Sequence, residues 1–231
     1  CGETPRTANT ELWNGSSWTE VSDYPTATQD LSMWGTSTSA LGALGYDTAN
    51  TANSASWDGT SWTETADLAN ARNGAQTGGI GSDNSEGLVA GGDDSGRKDF
   101  TEEWGFPPVT AAILTANTFK ETITDIPGAT WASAANLNTA GTNAAGATAG
   151  SQTAALVFAG DRPNKSTATE KWDGTSWTTV NAMSTGRNSL GGAGVTTSAL
   201  GFGGNTPPYT ADTEEYNGST WSEGGDVNTA R

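Results

Sequence analysis

The sequence contains no histidine, a single cysteine (Cys1), and only ten basic residues against 26 acidic ones. Each shortage removes a class of chemistry. Without histidine there is no Ser-His-Asp relay, no imidazole general base and no histidine-ligated zinc site. One cysteine excludes an intrachain disulfide. A formal charge of −16 argues against neutralising nucleic-acid phosphates or docking on anionic lipid. No stretch approaches the ~20 apolar residues that a membrane helix needs. Neither a cofactor nor a metal is expected. The acidity suits a particle kept soluble in a salty extracellular setting.

What the chain does have is glycine, threonine, serine, asparagine and ten tryptophans. Glycine at 31 residues disfavours long helices and suits short strands with tight turns. Nine of the tryptophans occupy two recurring positions. The first aromatics are Trp13, Trp57, Trp104, Trp172 and Tyr216, and the second are Trp18, Trp62, Trp131, Trp177 and Trp221. Spacing within a pair is 5 in four units and 27 in the third, so that unit carries an insertion of 22 residues. With the insertion removed, the period is 44–47. Other positions keep step. Gly45, Gly92, Gly160 and Gly204 lie twelve residues before the first aromatic, and the same offset in the first unit falls on Cys1. Thr28, Arg72, Gly141, Arg187 and Arg231 lie ten residues after the second.

Asn-Gly or Asp-Gly between the paired aromatics, at Asn14, Asp58, Asp173 and Asn217, is a strong hairpin signal. Each unit reads as four short strands, the third carrying the first aromatic and the fourth the second. Four antiparallel strands repeated at this period mark a β-propeller blade, so the fold class is all-β. The blades are expected over roughly 28–65, 72–133, 141–180 and 187–224, with a partial one in 1–21. Four are thus complete in a ring of about five, which missing C-terminal strands or a partner would close. The aromatics are expected to pack between blades, with a sugar-stacking row as the alternative.

A Gly-Gly, an aromatic about a dozen residues on, a Trp five later and an Arg opening the next unit resemble the kelch repeat. GFGGNTPPYTADTEEYNGSTWSEGGDVNTAR, at 201–231, shows the whole pattern. In its small-residue style the chain also resembles the kelch-like repeats of structural proteins of marine tailed phages. The resemblance implies a propeller of roughly five to seven blades that serves as a binding scaffold. Galactose oxidase, an enzymatic relative, needs two histidine ligands and a Cys–Tyr crosslink, which this chain cannot build.

Candidate site residues follow from the repeat. Glu11, Glu102, Glu170 and Glu214 each precede a first aromatic by two residues. A buried charge demands a partner, so Arg72 is expected to pair with Glu102 and Arg187 with Glu214. An arginine-lined ligand funnel is the alternative. Blade two lacks both members, having Thr28 and Ala55, whereas blade four keeps Glu170 beside Gly141. Asp93, Asp94 and Asp99 read as a solvated acidic loop. The insertion, Gly105–Thr130, gathers Val109, Ile113, Leu114, Phe119 and Ile126 outside the repeat logic, which marks them as candidate partner contacts. Three functions compete. The first is a non-enzymatic virion module, decorating a phage capsid or serving in its tail, that contacts other virion or surface proteins and mediates host attachment. The second is an extracellular or lipid-anchored carbohydrate-binding surface protein of a bacterium, with Cys1 as the candidate anchor and a host-surface glycan as the candidate ligand. The third is a carboxylate hydrolase. The expected location is the virion or the extracellular space, with self-association into a homo-oligomer open, no nucleic acid and no membrane insertion.

Overall fold

The computed structural model describes residues 6–75, 79–106, 128–162 and 164–231 of the chain. Its local structure is set by the aromatic pairs. In every unit the two aromatics face each other across an antiparallel pair: Trp13 and Trp18, Trp57 and Trp62, Trp104 and Trp131, Trp172 and Trp177, Tyr216 and Trp221. Their ring centroids stand 5.1–5.5 Å apart and tilted. Such cross-strand pairs are the unit of sheet stabilisation. In four of the units the loop between them has four residues, and of its first two only the glycine turns left-handed, with φ of 90–99° at Gly15, Gly59, Gly174 and Gly218. The preceding Asn or Asp holds the turn with its side chain. Asp173 Oδ1, for example, accepts the Thr175 and Ser176 N–H groups at 2.9 and 2.8 Å.

Five units follow one another. Blade one shows β1 (Thr10–Trp13) and β2 (Trp18–Val21). Blade two is complete, with β3 (Ser32–Thr36), β4 (Ser39–Ala43), β5 (Ser54–Trp57) and β6 (Trp62–Glu64) in sequential order. Blade three has β7 (Gly87–Ala90), β8 (Thr101–Gly105) and β9 (Thr130–Ala134), with Ile80 bridging to Leu88 at the inner position. Blade four has β10 (Ala145–Gly146), β11 (Ala155–Phe158), β12 (Thr169–Trp172) and β13 (Trp177–Val180). Blade five has β14 (Gly191–Val195), β15 (Ser198–Phe202), β16 (Thr213–Tyr216) and β17 (Trp221–Glu223). All pairings are antiparallel and between neighbours in sequence, the meander of a β-propeller. The insertion departs at Gly105 and returns at Thr130, which pair with each other. Val109, Ile113, Leu114, Phe119 and Ile126 lie outside the described residues.

The core lies between blades. Leu41 and Ala43 of blade two cluster with Val89 and Trp104 of blade three. Leu88 and Ala90 of blade three meet Val157, Trp172 and Trp177 of blade four, and Leu156 and Phe158 meet Tyr216 and Trp221 of blade five. Each interface therefore sets an aliphatic face against the aromatic pair of the next unit. Trp34, outside the repeat pattern, lies over glycines. Side chains at Gly79, Gly81 or Gly87 would strike its ring at 1.9–2.4 Å.

Candidate functional site

The repeated polar residues act first as fasteners between units. The second tryptophan of each blade donates its indole N–H backward to a hydroxyl three residues before the previous first aromatic. Trp62 reaches Thr10 at 3.1 Å, Trp131 Ser54 at 3.2, Trp177 Thr101 at 3.0 and Trp221 Thr169 at 2.9. The first tryptophan bonds within its own blade, to the carbonyl between the two inner strands. Trp57 donates to Ser37, Trp104 to Asn84 and Trp172 to Gln152, at 2.8–3.0 Å. Buried indoles that carry a partner hold a fixed orientation. A row of stacking platforms for sugar is not available in blades two to five, where Trp57, Trp104, Trp172 and Tyr216 are buried.

The glycine pairs make a second fastener. Gly45, Gly92, Gly160 and Gly204 each donate N–H to the opening residue of the next unit, namely Arg72, Gly141, Arg187 and Arg231, at 2.7–3.2 Å. All four have positive φ, and a Cβ at each would meet a backbone carbonyl at 2.8–2.9 Å. The preceding position is left-handed too, even where it is Leu44 or Ala159.

Glu102, Glu170 and Glu214 form the third, and all are buried. Each carboxylate accepts a backbone N–H from the linker entering its blade: Ala69 at 2.7 Å, Asn138 at 2.7 and Ser184 at 2.6. Arg72 pairs with Glu102, and Arg187 with Glu214 at 2.9 Å. Burial pulls the Arg72 and Arg162 guanidiniums below their ordinary range, and the facing carboxylates oppose that shift. The expectation that Glu170 stands without an arginine is overturned: Arg162, in the loop after β11, pairs with it. A Cβ at Gly141 would meet the Arg162 side chain at 2.8 Å, so the arginine stem occupies the space that a side chain at 141 would need. Sequence reasoning missed Arg162, although it was an unassigned arginine in the unit whose glutamate lacked one. The pairs are buried and their carboxylates are also held by the backbone, which is a structural role and not an open funnel.

Near the acidic loop, Asp93 Oδ1 accepts the Gly96 N–H at 3.3 Å. Among the described residues, no group of three or more acidic or cysteine side chains is arranged to hold a metal ion. Between blades four and five, Lys165 donates to Asn188 and Asn205, and Asn188 donates to Asp161, a network that ties the two blades together.

Blade one joins the first fastener only through Thr10, which accepts the Trp62 indole N–H. Trp13 is 46% and Trp18 63% exposed, and Glu11 is exposed where its counterparts are buried. A cavity lined by Arg6, Thr10, Tyr24, Leu31 and Met33 lies between blades one and two. Burial drives the Tyr24 hydroxyl pKa upward, and Glu64 adds to the shift. At the far end, Leu200 is only half-buried, while its counterparts Leu41, Leu88 and Leu156 are fully buried.

The fold defines a β-propeller built from repeated units. No family model matches the chain, and no curated protein matches it. Among solved structures it is similar to YjhT, with a TM-score of 0.68, 14% identity, and coverage of 94% of this chain and 75% of that one. At that identity the likeness shows the fold alone.

Proposed function

We propose that this protein is a kelch-like, non-enzymatic structural and adhesion module of a virion, a capsid decoration or a tail component of a phage. One observation carries the reading. The first aromatics of blades two to five are buried, and the arginines and glutamates of blades three to five are buried and paired, so in those blades recognition falls to the loops and the insertion. The net charge of −16 and the Ser/Thr/Asn-rich loops suit a particle surface. The insertion leaves one hairpin, between the paired Gly105 and Thr130, in the place where the other blades have four-residue loops. Insertions at such positions commonly carry binding. Its apolar residues serve as the contact with other virion or surface proteins.

The test is mass spectrometry of purified particles together with a variant lacking 107–127. Incorporation of the whole chain and loss of incorporation by the variant, with thermal unfolding unchanged, supports the reading. A folded variant that still incorporates fully overturns the role of the insertion. Absence of the chain from particles overturns the virion assignment. The second reading, glycan binding, is favoured by Trp13 and Trp18, whose exposed rings stand 5.4 Å apart. It predicts saturable glycan-array binding that Trp18→Ala abolishes.

A further inference from the structure

Three Asn-Gly pairs occur in the chain: Asn14-Gly15, Asn73-Gly74 and Asn217-Gly218. The first and third fall in the turn between paired aromatics, where blades two and four carry Asp58-Gly59 and Asp173-Gly174. Asn217 Oδ1 accepts the Ser219 and Thr220 N–H groups, both at 2.9 Å, and Asn217 Nδ2 donates to the Thr220 hydroxyl at 3.2 Å. Asn14 repeats the set. Its Oδ1 accepts the Ser16 and Ser17 N–H groups at 2.9 and 3.0 Å and the Ser16 hydroxyl at 3.1 Å, and its Nδ2 donates to the Ser17 hydroxyl at 3.1 Å. Both asparagines are exposed, and the Gly15 and Gly218 N–H groups donate to no backbone carbonyl among the described residues. Asn73-Gly74 differs on each count. Asn73 Nδ2 is tied to Asn50 Oδ1 at 2.8 Å, and Gly74 is buried where a Cβ would meet Thr142 Oγ1 at 2.7 Å.

We propose that Asn217 and Asn14 are self-modification sites, at which the folded turn promotes its own deamidation. The Gly218 nitrogen, after losing its proton to solvent, attacks Asn217 Cγ and forms the C–N bond of a five-membered imide. Negative charge grows on Oδ1 during the attack. The Ser219 and Thr220 N–H groups already point there and serve as an oxyanion hole. The Thr220 hydroxyl is placed to pass a proton to Nδ2, whose bond to Cγ breaks so that it leaves as ammonia. Water then opens the imide at either carbonyl, giving aspartate or an isoaspartyl linkage. The aspartyl product fits the turn, because Asp58 and Asp173 accept the same two N–H groups in their own units. The isoaspartyl product lengthens the main chain between Tyr216 and Trp221 and loosens their contact. Either product adds a negative charge to the hairpin end of the blade. The reaction consumes only the chain and water, so it does not depend on the virion reading.

The test incubates the 231-residue chain in mildly alkaline buffer and follows each Asn-Gly peptide by mass spectrometry after digestion. Asn217 and Asn14 should convert about tenfold faster than Asn73, and faster in the folded chain than in the chain unfolded in urea, since only the turn organises the two donors. Thr220→Val removes the hydroxyl and should slow conversion at Asn217 severalfold while leaving Asn14 unchanged. Ser17→Ala makes the reciprocal test at Asn14, so the hydroxyl's role is read even if one variant fails to fold. Asp173→Asn transplants the reactant into blade four, with the Thr175 and Ser176 N–H groups in place, and should convert at a rate close to that of Asn217. Equal rates in the folded and the unfolded chain would leave only the ordinary reactivity of Asn-Gly and overturn the proposal. Equal rates at 73 and 217 overturn it too, as does an Asp173→Asn chain that stays unconverted. Folded hydroxyl variants that convert as fast as the native chain overturn it equally.

Discussion

Blades three and five hold their buried glutamate with an arginine from the linker that opens the blade, and blade four holds it with an arginine from a loop twenty-one residues further along. The carboxylate stays in place and the cation arrives from a different element, whose stem fills the space beside Gly141. Blade two has neither, with Thr28 and a buried Ala55 at the two positions. The comparison shows what the repeat preserves. A buried carboxylate must have a charged neighbour, from whichever element supplies one, and when one member is absent the other is absent too. Position in the repeat is secondary to neutrality in the pocket.

The largest expected effect breaks one pair and leaves a charge behind. Glu102→Ala strands Arg72 in a dry site and should cost about 3–5 kcal/mol in urea unfolding. Replacing both members in blade five with the residues of blade two, Arg187→Thr with Glu214→Ala, should cost clearly less than Glu214→Ala alone. A double variant as unstable as the sum of the singles would show that the two residues are not coupled, and the comparison with blade two would fail.

Packing comes next and contrasts the ends of the arc with its middle. Trp177 is buried between blades three and four and donates to Thr101, so Trp177→Ala should cost about 3–5 kcal/mol. Thr101→Val removes only the acceptor and should cost about 1 kcal/mol. Trp18, at the same repeat position but 63% exposed, should tolerate alanine within about 0.5 kcal/mol. Equal losses at 18 and 177 would mean that blade one is covered after all.

The arginine exchange sharpens the opening comparison directly. Gly141→Arg adds a second cation and a side chain that collides with Arg162, and overpacking of this kind costs about 1–3 kcal/mol. Adding Arg162→Thr clears the space and leaves blade four with the arrangement of blades three and five. Stability should then return close to that of the native chain. Failure of the rescue would mean that the linker of blade four cannot present an arginine to Glu170, and the two solutions would not be interchangeable.

The sequence carried the fold almost whole, because a period of 44–47 with aligned aromatics constrains every blade at once. The pairs Arg72–Glu102 and Arg187–Glu214 were legible for the same reason. Arg162 was not, since the same repeat position holds Asp94 and Thr206 in the neighbouring units and only the three-dimensional pocket reveals its contact. Trp34 was equally silent. Its bed of Gly79, Gly81 and Gly87 belongs to the next blade, and spacing along the chain says nothing of a side chain crossing between units. The cavity of Tyr24, Leu31 and Met33 likewise required coordinates.

The smallest effect concerns the hairpins, where Asp and Asn do the same work in different units. The Ser176 and Thr175 N–H groups hold the Asp173 carboxyl below its ordinary value of 3.8, and Asp58 is lowered in the same way by Ser61 and Thr60. The folded pKa is depressed, so the contribution is present above the unfolded value and is lost as pH falls through the folded one. Asn14 and Asn217 accept the same two N–H groups without titrating. Asp173→Asn should therefore leave stability near neutral pH almost unchanged and flatten its decline as pH falls below the ordinary carboxylate value. Asp173→Ala should lower stability across the whole range, because it removes the acceptor and not merely the charge. Parallel acid-unfolding curves for the native chain and Asp173→Asn would show that the turn gains nothing from ionisation, and the hairpins of blades one and four would then be equivalent in acid as well.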